Sequence, residues 1–343
     1  MFNPRYTITN KLLANIKYIN SLILDLNNHH FPITVLVELE RTAQAVSTYA
    51  STSIEGNPLP LTDVKRILKT RPQNIRKSEQ EVLNYNRALE KLNRRLKLTS
   101  MPLTLNLILS IHKQVTYKLV ARSLSGKLRD DPIFVNDPKT NKTVYLPPDA
   151  KDVLLLMTEL IKFINDHKRS DDPLILAGIF HKQFVIIHPF MDGNGRTGRL
   201  ATKVLLAEMG LNTFNLFSFE NYYNKNVTNY FNHVGVYGNY YDLVNTVDFT
   251  KWLEYFTDGI IDELLRVKKE LSRITTGPET ELKPYHQKIL DFIKEKGYIT
   301  DRDYAKFTLR AKATRVLDFK FLLKMGLIVR KGEGRATYYK LKS

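Results

Sequence analysis

The sequence predicts a mainly α-helical protein carrying one small β-hairpin, followed by a separate C-terminal module. Three observations carry this reading. Apolar residues recur at helical spacing through most of the chain, as at Val82, Tyr85, Leu89 and Leu92. Two short β-prone runs, Ile133–Val135 and Thr143–Leu146, flank a polar Asn/Asp/Pro/Lys turn. Residues 281–343 repeat the pattern on a smaller scale, with three helix-like stretches and then two strand-like ones.

The elements follow in order. Thr34–Ile54 has Val35, Leu39, Val46 and Ala50 at helical spacing and stops at Gly56-Asn57-Pro58. Short and longer helices are expected over Leu61–Lys69, Lys77–Leu96 and Leu103–Val120. The hairpin region Ile133–Leu146 ends at Pro147-Pro148, and Asp149–Asp166 is helical again. Asp172-Pro173 is a capping carboxylate followed by proline at the first helical position, so a helix starts there and runs to about Ile187. After the loop from His188 to Gly193, another helix ends near Gly210, and further helices cover Asn221–Val234 and Val247–Ile274. Gly277-Pro278-Glu279-Thr280 reads as a linker. Beyond it come helices over Tyr285–Lys296, Ile299–Phe307 and Lys312–Met325, then a hairpin of Leu327–Arg330 and Thr337–Leu341 turning at Gly332–Gly334. That is the order of a winged helix-turn-helix.

Composition narrows the function classes. With 43% hydrophobic residues the chain can bury a core, which excludes full disorder. It has no cysteine, which excludes a disulfide scaffold, a thiol nucleophile and any thiolate metal site. No apolar run reaches the roughly 18 residues of a membrane span, and Met1–Leu13 is mixed polar, so a cytoplasmic protein without a membrane partner is expected. The formal charge of +17 is uneven: residues 281–343 hold 16 Lys+Arg against 7 Asp+Glu, and residues 61–100 carry a net +7. The basic module could face a polyanion such as DNA. Lys312, Arg315, Lys320 and Lys324 would then lie on the recognition helix and Arg330, Lys331 and Arg335 on the wing.

The chemistry concentrates in twelve residues, His188-Pro189-Phe190-Met191-Asp192-Gly193-Asn194-Gly195-Arg196-Thr197-Gly198-Arg199. Three glycines in six positions are costly where a helix begins, unless the backbone must approach something closely. Gly193-Asn194-Gly195 can present successive N–H groups to one anion, and the helix start adds free donors and its positive dipole end. Arg196 and Arg199 fall one turn apart, so both can reach one extended polyanion. Asp192 beside such a nest calls for a cation, and Mg²⁺ held by one carboxylate plus phosphates fits. His188, with an ordinary pKa near 6.5, suits a general base. No lysine lies in the loop, so a Walker loop is not supported.

This stretch resembles the signature of the Fic (filamentation induced by cAMP) family, H-x-F-x-[D/E]-G-N-G-R-x-x-R, at every fixed position. The resemblance implies a Fic helical core over 101–274, with its hairpin flap at 133–146. It implies transfer of AMP from ATP, with Mg²⁺, to a hydroxyl of a target protein. His188 would be the base and Asp192 the metal ligand. Gly193, Asn194 and Gly195 would hold the inner phosphates, Arg196 and Arg199 the outer ones, with Thr197 and Gly198 in the same nucleotide-binding turn. Phe190 would anchor the loop in the core.

Ser51-Thr52-Ser53-Ile54-Glu55-Gly56 fits the family's inhibitory motif [S/T]-x-x-x-E-[G/N]. It lies within an N-terminal region of residues 1–100, the class II arrangement. Glu55 would pair with Arg199 and take the guanidinium that the γ-phosphate needs. Asn229-Tyr230-Phe231 resembles a tyrosine pair near the adenine, which makes Tyr230 a candidate nucleotide contact. By analogy with class II relatives a homodimer is expected. Two alternatives remain at this point. One is AMP removal at the same site, with Glu55 orienting a water. The other is a nucleotide-sensing regulator that reads DNA through residues 281–343.

Overall fold

The structure is a computed structural model, and it describes residues 2–28, 33–70, 72, 75–96, 98, 101–137, 140, 142–208, 215–275 and 282–342. The expected linker at 277–280 lies outside these. The chain divides into two compact units, residues 1–28 with 43–267, and residues 29–42 with 268–343. The division differs from boundaries set by motifs, because the helix that bears the inhibitory motif contributes residues to both units.

Helices dominate in the predicted order. α1 (Asn10–Asn28) has Leu12, Ile16, Ile19, Leu22 and Leu26 on its buried face. That helical period is present in the sequence, although the sequence reading assigns no helix there. α2 (Ile33–Ile54), α3 (Leu61–Thr70) and α4 (Lys77–Leu96) follow. α5 (Leu105–Val115) is shorter than expected because the Thr104 side chain caps its start and Thr116 ends it. In the flap, β1 (Val135–Asn136) pairs antiparallel with β2 (Thr143–Leu146).

α6 (Ala150–His167) leads to α7 (Pro173–Ile187), which starts as the sequence indicates: the Asp172 carboxylate accepts from Leu174 N at 2.8 Å. α7 is buried along nearly its whole length and packs on α8 (Asn194–Glu208). The stretch read as one helix over Asn221–Val234 breaks at Asn226 into α9 (Glu220–Lys225) and α10 (Val227–Val234), because the Asn226 side chain caps the second. β3 (Gly238–Asn239) adds a parallel third strand beside β2. α11 (Tyr240–Leu243) and α12 (Thr250–Thr275) complete this part of the chain. Gly178 lets α12 approach α7 closely: a Cβ there would clash with Leu253, and the Trp252 indole N–H donates to the Gly178 carbonyl at 2.7 Å.

The second unit has the three-helix-then-hairpin order. α13 (Pro284–Lys296) ends on Gly297, α14 (Asp301–Lys306) starts with a Thr300 capping box, and α15 (Lys312–Lys324) precedes the antiparallel pair β4 (Ile328–Lys331) and β5 (Tyr338–Leu341). Its core includes Ile289, Ile293, Ile299, Tyr304, Phe319 and Leu322, with Val37 of α2 packed against it. Among the described residues no helix is long and apolar enough to cross a membrane.

Candidate active site

His188 caps α7 in the left-handed conformation (φ 50°), which turns the chain sharply into the loop. Its Nδ1 lies 3.1 Å from the Val185 carbonyl oxygen. A carbonyl can only accept, so Nδ1 carries the proton and Nε2 keeps its lone pair. The Arg129 side chain, itself buried, donates through Nε to the His188 carbonyl at 2.9 Å, and the Arg129 amide donates to the Pro189 carbonyl at 3.0 Å. Burial lowers the His188 pKa. The Val185 carbonyl and the Glu55 and Asp192 carboxylates oppose that shift, and Arg129 adds to it. The imidazole is therefore a neutral base at pH 7.

The loop after His188 is held from inside. Asn194 clamps it with a reciprocal pair, Phe190 N to Asn194 Oδ1 at 2.9 Å and Asn194 Nδ2 to Phe190 O at 2.7 Å. The Asn194 side chain thus closes the loop, and its amide is left to the cradle. Phe190 is fully buried, as the sequence indicates, and stacks on His112 of α5 with ring centroids 3.7 Å apart. Gly126 N donates to His112 Nδ1, so His112 Nε2 carries the proton and donates to the Asp192 carbonyl at 2.9 Å. Burial pushes the His112 pKa down to about 4, which keeps this strut neutral. Gly193 needs its glycine twice over, for a φ of 81° and because a Cβ would press on Thr116.

The first intrahelical bond of α8 runs from Thr197 N to Gly193 O at 3.0 Å. The amides of Asn194, Gly195 and Arg196 therefore open the helix without an intrahelical acceptor, at its positive end. A Cβ on Gly195 would strike Glu55 Oε1 and Arg199 Nη1, so the glycine keeps a space that a side chain would fill.

Glu55 and Arg199 meet across this space. Arg199 is 0% exposed; its Nη2 donates to Glu55 Oε1 and to the Ser51 carbonyl, each at 2.8 Å, and its Nε to Ser51 Oγ at 2.8 Å. Nη1 is buried with no partner among the described residues. Burial works against the charge, and the Glu55 carboxylate more than offsets it, so the guanidinium is held above its ordinary range.

Asp192 is half exposed. Its Oδ1 accepts from Gly193 N at 2.6 Å and from Arg196 Nη2 at 3.0 Å, and among the described residues Oδ2 accepts nothing. One available carboxylate oxygen beside open helix amides fits a hard divalent cation that completes its shell with water and phosphate.

Arg196 is engaged by two carboxylates, Glu81 and Asp192. Its Nη1 is paired with Glu81 of α4 at 2.7 Å. Thr197 is fully buried, and Gly198 lies against the Phe184 ring, where it allows α8 to approach α7. Tyr230 is 1% exposed; its hydroxyl lies 3.0 Å from His181 Nε2 and its ring stacks on Tyr223. Glu81, His112 and Arg129 are absent from the sequence-based site. No local motif marks them, since each reaches the loop from another element.

Of the residues expected to meet DNA, Arg315 is engaged by Asp301 through two bonds of 2.8 and 2.9 Å, while Lys312, Lys320 and Lys324 are exposed on α15 beside Val316 and Leu317.

Comparison with known proteins places this geometry. Residues 102–206 match the Fic/DOC family. The chain is 31% identical over 185 residues to Protein adenylyltransferase Fic of Drosophila ananassae, covering 53% of this chain and 35% of that protein. It is 32% identical over 166 residues to the Drosophila melanogaster protein of the same name, covering 47% and 32%. The chain thus spans about a third of the length of these curated relatives. A Fic family protein from Desulfovibrio desulfuricans shares the fold over 99% of this chain and 98% of its own, with TM-score 0.65 and 20% identity. Fic-1 (aa134–508) from C. elegans does so over 77% and 73%, with TM-score 0.58 and 21% identity. The loop held by His112 and Asn194 and the glycine-opened start of α8 lie within the segment that matches the Fic/DOC family.

Proposed function

We propose that this protein is an adenylyltransferase that moves AMP from ATP to a hydroxyl side chain of a target protein, and that Glu55 holds it inhibited. One observation carries the reading. Arg199, at the open end of α8, is fully buried between Ser51 and Glu55, yet its Nη1 has no partner among the described residues, beside the space kept by Gly195. A buried guanidinium donor left unmatched costs about 1–3 kcal/mol or more, so it favours an anion, and the Glu55 carboxylate already paired with Nη2 opposes one. The matched Fic segment and the names of its relatives support the same reaction class.

The chain's own groups suffice to describe the steps. His188 Nε2 takes the proton of the target hydroxyl. The oxygen attacks the α-phosphorus, and the bond to the β-phosphate breaks to release pyrophosphate. The α8 amides stabilise charge on the phosphates. Asp192 would hold Mg²⁺, which supplies charge neutralisation on the phosphates when bound. The inhibitory contact comes from a helix N-terminal to the signature, which is the class II arrangement.

The test uses the whole protein with α-labelled ATP and Mg²⁺ in lysate. Glu55→Gly increases label transfer to protein by at least about tenfold, the scale of a modest coupling energy. Adding His188→Ala abolishes it. Intact protein mass spectrometry reads one AMP per modified site. Undiminished transfer by the His188→Ala protein refutes the base assignment, and no transfer by Glu55→Gly refutes the reading as a whole.

A further inference from the structure

Glu81 of α4 belongs to neither motif, yet one of its carboxylate oxygens is committed to the signature and the other to Asn57, just past the inhibitory motif. Oε1 pairs with Arg196 Nη1 at 2.7 Å, and Oε2 accepts from Asn57 Nδ2 at 2.7 Å. The Glu81 and Arg196 side chains are 15% and 5% exposed, so the pair is desolvated, and loss of one partner strands the other. Asn57 lies two residues beyond Glu55, across Gly56 at φ 88°. Its own amide N–H closes the end of α2 on the Thr52 carbonyl at 3.1 Å, and its side chain also donates to the Ser78 carbonyl at 2.9 Å. On the other side Arg196 extends Nη2 to Asp192 Oδ1. A continuous chain of polar contacts therefore runs from the end of the inhibitory helix to the loop carboxylate.

We propose that Glu81 is a positioning residue that fixes the end of α2 and Arg196 together. This inference rests on the nucleotide-binding reading above and deepens its regulation. With Nη1 paired to Glu81, the planar guanidinium offers Nη2 to Asp192. Arg196 then lies between two carboxylates with its charge compensated. It braces Asp192 and does not anchor an outer phosphate. The same carboxylate, through Asn57, keeps the last turn of α2 in register with the loop that Glu55 blocks. Replacing Glu81 by its amide leaves one of the two donors without an acceptor. Arg196 is then less compensated, which favours a polyanion, and it leans more strongly on Asp192, which disfavours a cation there.

Two measurements test this. The first is hydrogen exchange of the full chain without added nucleotide, followed in peptides covering residues 52–57 and 190–197. Both Glu81→Gln and Asn57→Ala speed exchange in both segments, by about fivefold, as expected for a modest coupling. If Asn57→Ala leaves 190–197 unchanged, the coupling is absent.

The second is ATP titration calorimetry in the Glu55→Gly protein, with and without Mg²⁺. Adding Glu81→Gln tightens metal-free ATP and raises the Mg²⁺ concentration for half-saturation, each by about fivefold. Weakening of both in step with a lowered Tm marks a merely structural residue and overturns the proposal. Should the Glu55→Gly parent bind no ATP, the functional reading fails, while the exchange experiment still decides the coupling.

Discussion

The surroundings of His188 settle which of its nitrogens is available for the proposed role of base. The Val185 carbonyl accepts from Nδ1, Arg129 donates to the His188 carbonyl, and the left-handed backbone at His188 ends α7. Burial lowers its pKa below the ordinary value of 6.5. The proposed base is the neutral imidazole, so its contribution is lost as pH falls through that lowered value. In the Glu55→Gly protein, the acid limb of kcat/KM therefore has its midpoint below pH 6.5. A midpoint above 7 would assign the limb to another group. His188 and Arg199 stand out in the sequence because they lie in one contiguous run. Asn194 shows where legibility stops. Its position was readable, but that its side chain clamps Phe190 depends on loop geometry. Thr197, Gly198 and Tyr230 are buried on the packed sides of α8 and α10, and such burial is a tertiary property that spacing does not encode.

Element boundaries were legible wherever a local signal fixes them. Asp172-Pro173 starts α7, and Gly297 ends α13 in the left-handed conformation. The short β3 has no such signal, since a two-residue strand has no period. The packing of α5 against the signature loop was equally invisible, although it rests on a single side chain. His112 stacks flat on Phe190 and bonds both Gly126 N and the Asp192 carbonyl. Its pKa of about 4, against 6.5 unfolded, sets a pH-dependent stability. Between those values the unfolded chain binds a proton that the folded one refuses, so stability falls as pH drops below 6.5. The full cost, on the order of 3 kcal/mol, is reached below about 4. Buried His181, with a pKa near 3, adds to the same slope. Urea unfolding from pH 7 to 4 therefore shows declining stability, and His112→Gln flattens that decline while lowering stability at pH 7. An unchanged slope in His112→Gln would mean that the histidine titrates normally in the fold.

At the scale of the molecule, the unit boundary does not coincide with a motif or a linker, because α2 contributes to two cores. Its early residues belong to the second unit, where Val37 packs beside the core of α13 to α15. From Ala43 onward it belongs to the first, where Ser47, Thr48, Ser51, Thr52 and Ile54 are buried and Glu55 reaches Arg199. A helical period reads as one element whichever core each turn faces, so the sequence marks the helix and not its division.

The division has a measurable consequence. A chain ended at Val267 loses the core against which Val37 packs and keeps Arg199, the partner of Ser51 and Glu55. An isolated helical end of about ten residues is marginal in water. Hydrogen exchange over 33–42 therefore accelerates in the shortened chain, while exchange over 47–55 stays slow. Because Ser51 and Glu55 keep their hold on Arg199, label transfer from ATP stays as low as in the whole protein and still rises on Glu55→Gly. A shortened chain that transfers label freely without that substitution would place the control of Glu55 in the second unit, and the local pairing described above would not suffice to hold the site closed.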